Sequence, residues 1–161
     1  MSIAREKEKI VEDIVKLCVR HLSKKQYELN LPKTAVKNAV KCLKVYARRD
    51  GRSWAGQNMI KINALCWQFG NSAWSEYARF NKDPVIGRIE VKDNHDILLC
   101  LVAHEVSHFI QYTYYCWFPE YIKNKQNSDR GHGECFQTIY RYLRRDLVNP
   151  MIEQKRLENV A

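Results

Sequence analysis

The sequence predicts an α+β domain, mostly helical with a small antiparallel sheet, and three observations lead there. Apolar residues recur at the helical period in several separated stretches, two short central segments have strand character, and turn residues punctuate the boundaries between them. In the first stretch, Ile10, Ile14, Leu17, Cys18 and Leu22 fall on one face among charges, so a helix is expected from Ile3 to about Ser23. Asn30 and Pro32 then supply a helix start, and a second helix is expected to run to about Arg49 on Val36, Ala39, Val40, Leu43, Tyr46 and Ala47.

Asp50-Gly51-Arg52-Ser53 is turn chemistry, and Asn58 to Asn63 alternates as a half-buried strand does. A turn at Gly70-Asn71-Ser72 is expected to lead into a short helix from about Ser72. Val85 to Lys92 is rich in β-branched residues and reads as a second strand, able to pair antiparallel with the first. Asp93-Asn94-His95-Asp96 offers an N-cap to a helix expected to reach Cys116, where Trp117-Phe118-Pro119 ends it. A polar loop over Lys123 to Arg130 precedes a last helix on Phe136, Ile139, Tyr140, Leu143 and Leu147, with Arg141, Arg144 and Arg145 outside and Asn149-Pro150 as its stop.

With 161 residues the chain is the size of one domain, placed at 1–150 with a polar tail over 151–161. Nearly half the residues are apolar and glycine and proline are few, which excludes disordered and collagen-like classes. No run is long and apolar enough for a membrane span, and the charged first residues lack the apolar core of a secretory signal. The six cysteines are scattered singly, without a Cys-x-x-Cys pair, so reduced and largely buried thiols in a cytoplasmic, non-secreted protein are expected.

A net charge of +9 suggests an anionic partner, with nucleic acid the commonest. Lys33, Lys37, Lys41, Lys44 and Arg48 recur every three or four residues, joined by Arg49 and Arg52, and no acidic residue interrupts them between Glu28 and Asp50. An ordinary solvated face competes with a polyanion track here. Arg141, Arg144 and Arg145 of the last helix form a second candidate DNA contact.

The chemistry concentrates at His104-Glu105-Val106-Ser107-His108. Positions four apart share a helix face, so two imidazoles can meet one zinc ion, and Glu105 is placed to take a proton from water on that metal. A catalytic zinc wants a third protein ligand. Gln111 and Tyr114 exclude the metzincin histidine, leaving Glu120, Asp129, His132 and Glu134 downstream. His132 is favoured because glycines flank it, and Glu134 at a helix start is the alternative, with capping as its ordinary role.

His104-Glu105-x-x-His108 followed by Gly131-His132-Gly133-x-x-Phe136 resembles the SprT-like zinc metallopeptidase domain, the group that includes the Spartan proteases. The order of helices, Ala55-Gly56 ahead of a strand, and then the motif helix is also similar, over roughly residues 5–148. The resemblance implies a minimal zincin-like fold, His132 as third ligand with Phe136 packed behind it, and a protease acting on DNA-bound or DNA-crosslinked proteins. The chain departs from the family in lacking a Cys-x-x-Cys ribbon after the domain, so any DNA contact is expected from the domain itself.

In this reading Glu105 shuttles the proton from the attacking water to the leaving amine. Oxyanion stabilisers compatible with the sequence are His95, Tyr112, Tyr114, Tyr115 and Arg130, with His95 better explained as a capping or surface residue. Tyr112, Tyr114, Tyr115, Trp117 and Phe118 read as core and cleft wall. Two other functions fit the same residues: a non-catalytic DNA-binding protein with a structural zinc, and a metallo-endopeptidase for peptidoglycan stems.

Overall fold

A computed structural model describes residues 3–27, 29, 31–48, 51–65, 73–74, 80–114 and 131–158. The elements in order are α1 (Ile3–Leu22), a 3-10 turn at Lys25–Tyr27, α2 (Ala35–Cys42), β1 (Leu43–Tyr46), β2 (Trp54–Gly56) and β3 (Met59–Asn63). There follow β4 (Ala73–Trp74), β5 (Ile89–Glu90), α3 (Asn94–Tyr114), α4 (Glu134–Leu143), a π-helical turn (Arg144–Val148) and α5 (Asn149–Glu158). The α+β class with helices dominant holds.

The centre is α3, buried along nearly its whole length from Asp96 to Gln111. A helix apolar on all sides has to be surrounded, and α1, α4 and the sheet do this. Asp93 caps it, its Oδ1 accepting the Asp96 N–H at 3.0 Å, as the sequence predicts. Val11, Val15, Cys18, Val19 and Leu22 of α1 and Cys135, Phe136, Ile139 and Leu143 of α4 complete the core. Among the described residues, no helix is long and apolar enough to cross a membrane.

The sheet departs from expectation. It is three-stranded and mixed, in the order β1-β3-β2, with β1 parallel and β2 antiparallel to β3. The second helix therefore stops at Cys42, and Leu43-Lys44-Val45-Tyr46 extends as a strand because Leu43 and Val45 alternate inward and β3 offers a ladder. The strand around Met59 is where the sequence places it, but it does not pair with the Val85–Lys92 segment. Only Ile89–Glu90 of that segment is strand, and it pairs with Ala73–Trp74, where a helix was expected. Residues 83–87 instead form a turn, with Asp83 Oδ1 accepting from the Val85 and Ile86 N–H groups. Gly87 is required there, since a Cβ would stand 2.3 Å from the Asp83 carbonyl oxygen.

The last helix does not stop at Asn149-Pro150. The backbone widens into a π-turn, the Asn149 N–H reaching the Arg144 carbonyl five residues back, which relieves the clash Pro150 makes in a regular helix. Helix α5 then buries Ile152 and ties Lys155 to Asp93 and Asp96, so 149–158 belong to the domain and not to a tail.

The expected end of α3 at Cys116, the break at Trp117 to Pro119 and the loop over 123–130 lie outside the described residues.

Candidate metal centre

Helix α3 delivers His104 and His108 one turn apart, and the turn before α4 delivers His132. His132 Nε2 stands 3.3 Å from His104 Nε2 and 3.1 Å from His108 Nε2. Ligand bonds of about 2.0–2.1 Å at tetrahedral angles put neighbouring nitrogens about 3.3 Å apart, so the spacing is that of three ligands around one small ion. The rings cross at 72°, 79° and 51°, which lets their lone pairs converge instead of stacking away from a common point. Three imidazoles suit zinc, copper, iron or nickel.

The surroundings fix these rings. Phe136, fully buried, lies under all three, 4.3 Å from the His108 ring, 4.9 Å from His104 and 4.8 Å from His132 between centroids. Tyr140 closes the far side of His104, and Tyr112 stacks on His108 at 15°. His108 Nδ1 faces Gln111 Oε1 at 3.4 Å, and with the proton on Nδ1 the Nε2 lone pair is left for a metal. Gln137 Nε2 donates to the His132 carbonyl at 3.1 Å, holding the turn that presents this ring. A Cβ at Gly131 would meet the Tyr112 hydroxyl at 3.4 Å, while Gly133 takes an extended conformation open to any residue.

Glu105 follows His104 and is 5% exposed. Glu134 is exposed in the first turn of α4 and does not join the three-histidine group, so the histidine and not the carboxylate completes the cluster among the described residues. Glu120 and Asp129 lie outside the described residues, as do Tyr115, Trp117, Phe118 and Arg130. Of the remaining oxyanion candidates, His95 is exposed in the first turn of α3, nine residues and so about 13 Å along the axis from His104. Tyr114 is buried and accepts from Asn38 Nδ2. Tyr112 is the one beside the cluster.

A second group, Asp93, His95 and Asp96, also has ligand-type atoms close together. Its carboxylates are engaged by Lys155 and by the Lys92 and Asp96 backbone N–H groups, so it is an ion-paired joint between α3 and α5. Among the described residues, no cysteine joins either group. Burial pushes the Cys135 thiol, beside Phe136, up to about 12, which keeps it protonated. Cys18 and Cys42 are also free, and Cys66 and Cys116 lie outside the described residues.

The basic residues divide. Lys33, Lys37, Lys41, Lys44, Arg48 and Arg52 are exposed, but the helical stripe is broken at Cys42: Lys37 and Lys41 ride on α2, Lys44 on β1, and Arg48 and Arg52 on the loop beyond. Arg49 lies outside the described residues. The second set loses Arg144 to the interior, while Arg141 and Arg145 stay at the surface in ion pairs. Arg144 is 1% exposed and donates to Tyr140 Oη (3.0 Å), Asn149 Oδ1 (2.8 Å) and the Gly87 carbonyl (3.3 Å). Arg141 pairs with Asp83 and Arg145 with Asp146. Arg144 sits four residues after Tyr140 and three before Leu147, on the apolar face of its helix, and that spacing was the available signal. Gln111, three residues after His108 on a buried helix, is the site residue the sequence analysis missed, and it too was signalled by position.

No family model, curated protein or solved structure matches the chain.

Proposed function

We propose that the chain is a zinc-dependent endopeptidase acting on proteins associated with, or crosslinked to, nucleic acid. The observation that carries this is the convergence of three imidazole Nε2 atoms beside a buried glutamate that directly follows the first of them. A structural three-histidine site has no need of that carboxylate, whereas peptide hydrolysis requires a base at the metal. Zinc, when bound, supplies a Lewis acid that polarises the scissile carbonyl and makes water nucleophilic near neutral pH.

The chain's own residues do the remainder. His104, His108 and His132 would hold the ion as neutral ligands, with His108 kept in the required tautomer by Gln111. Glu105 accepts the proton of the attacking water and passes it to the departing amine as the C–N bond breaks. Tyr112, whose ring stacks on His108, is the residue this reading assigns to donate toward the oxygen that gains charge. Support for a nucleic-acid-bound substrate is the +9 charge and the exposed lysines and arginines of α2, β1 and the following loop.

Replacing Glu105 by Gln tests the mechanism. The variant should keep its zinc and lose cleavage of a protein substrate by at least about a hundredfold, the size of a general-base contribution. Cleavage near the wild-type rate would remove Glu105 from the role and overturn this mechanism.

A further inference from the structure

We infer that the outward face of the three-stranded sheet is a binding surface for unpaired nucleic acid, with Trp54 as a base-stacking platform. The inference deepens the proposed association with nucleic acid but does not depend on the metal or on peptidase activity.

Residues directly opposite one another in a sheet share a face. The register sets Lys44 opposite Lys61 and Lys61 opposite Trp54, so a single row crosses all three strands. Lys61 lies between Ile60 and Ile62, both fully buried, which turns this row away from the core. Trp54 is 46% exposed, and among the described residues it is the one large aromatic left open to this degree. Gly56, two residues further on the same face, has the indole beside it, a Cβ there standing 3.7 Å from the ring. Tyr46 belongs to the face too, with Lys61 Nζ 4.9 Å from its ring centroid.

The backbone beyond the row is tied to the sheet. Asn63, fully buried, accepts the Arg48 N–H and donates to the Arg48 and Gly51 carbonyls, fixing the loop that carries Arg48 and Arg52. Glu8 and Glu12 line a cleft with Lys44, which sets the acidic border on the α1 side. An open indole opposite Lys61, in one row with Lys44 and two residues after the exposed Arg52, has the two parts of a single-strand site: a π-face for a base and cations for the phosphates. A duplex stacks its base faces against one another and hides them from an open indole, so the unpaired strand is the complementary occupant.

The test is fluorescence anisotropy of a labelled oligothymidylate and of a duplex of equal length, with the full chain at several salt concentrations. Trp54→Ala should weaken oligothymidylate binding by about 5- to 100-fold, the range for loss of one stacked base, while Trp54→Phe retains most of it. Duplex binding should be weaker and should not respond to either substitution. Lys61→Gln and Arg52→Gln should each lower the slope of log affinity against log salt by about 0.7, one phosphate contact on a single strand. Oligothymidylate affinity within twofold of wild type in Trp54→Ala would overturn the site, and so would equal losses on single strand and duplex. Failure of the wild type to bind either nucleic acid would overturn the wider association as well, whereas Trp54-independent binding overturns this surface alone.

Discussion

At the histidine cluster, His104 and His108 of α3 come within 3.3 Å of His132 from the turn before α4, under cover of Phe136 and Tyr140. Along α2, β1 and the loop beyond, the cations stay apart and exposed. A metal site works only if donor atoms meet, so packing must be spent on each ring, and a change in any supporting residue is felt at the metal. A polyanion surface works through summed charge and tolerates spread. Sensitivity to single substitutions should therefore be steep at the first region and shallow at the second.

The steepest loss is expected at His132. Metal analysis should find stoichiometric zinc in the wild type and in Glu134→Ala and little in His132→Ala; retention in His132→Ala would move the third ligand elsewhere. Next comes Arg144, a cation the sequence groups with the exposed set. Arg144→Met leaves the Gly87 carbonyl and the Tyr140 hydroxyl short of a donor in the interior and should cost about 2–4 kcal/mol in urea unfolding. Its nucleic-acid affinity should be unchanged. Gln111→Ala should then weaken zinc binding by about 10- to 100-fold in a chelator competition, with the apo fold intact by circular dichroism, and Gln111→Glu should restore it.

The contrast also explains what was legible in the sequence. His104, Glu105 and His108 are related by helix periodicity alone, and the flanking glycines drew attention to His132, so the metal cluster was readable from local spacing. Leu43 to Tyr46 was not, because Leu43 and Tyr46 fit a helical face while Leu43 and Val45 fit a strand. The choice is made by Ile60 to Asn63, each pairing with a partner seventeen residues away. Pro150 reads as a stop because a regular helix cannot contain it, and the π-turn that admits it carries Arg144 and Asn149, which bind the 83–87 turn. Arg144 groups with the exposed cations by its charge, although its position on the helix is that of a core residue.

The smallest effect expected is at Lys155, whose ammonium joins Asp93 and Asp96 and so docks α5 on the start of α3. Burial alone would raise the Asp93 pKa, but hydrogen bonds from Lys155 and the Asp96 backbone N–H outweigh it and hold the carboxyl below its usual 3.8. A depressed folded-state pKa means stability that is fully present above the unfolded value and is lost as pH falls through the folded one. The pair is partly exposed and screened, so Lys155→Met should cost no more than about 1 kcal/mol at pH 7. The gap between variant and wild type should persist at pH 5 and shrink below pH 4 as Asp93 takes up its proton. Urea unfolding at pH 7, 5 and 3 measures this directly. A gap that stays constant down to pH 3 would assign the contribution of Lys155 to the packing of its methylene stem and not to its charge.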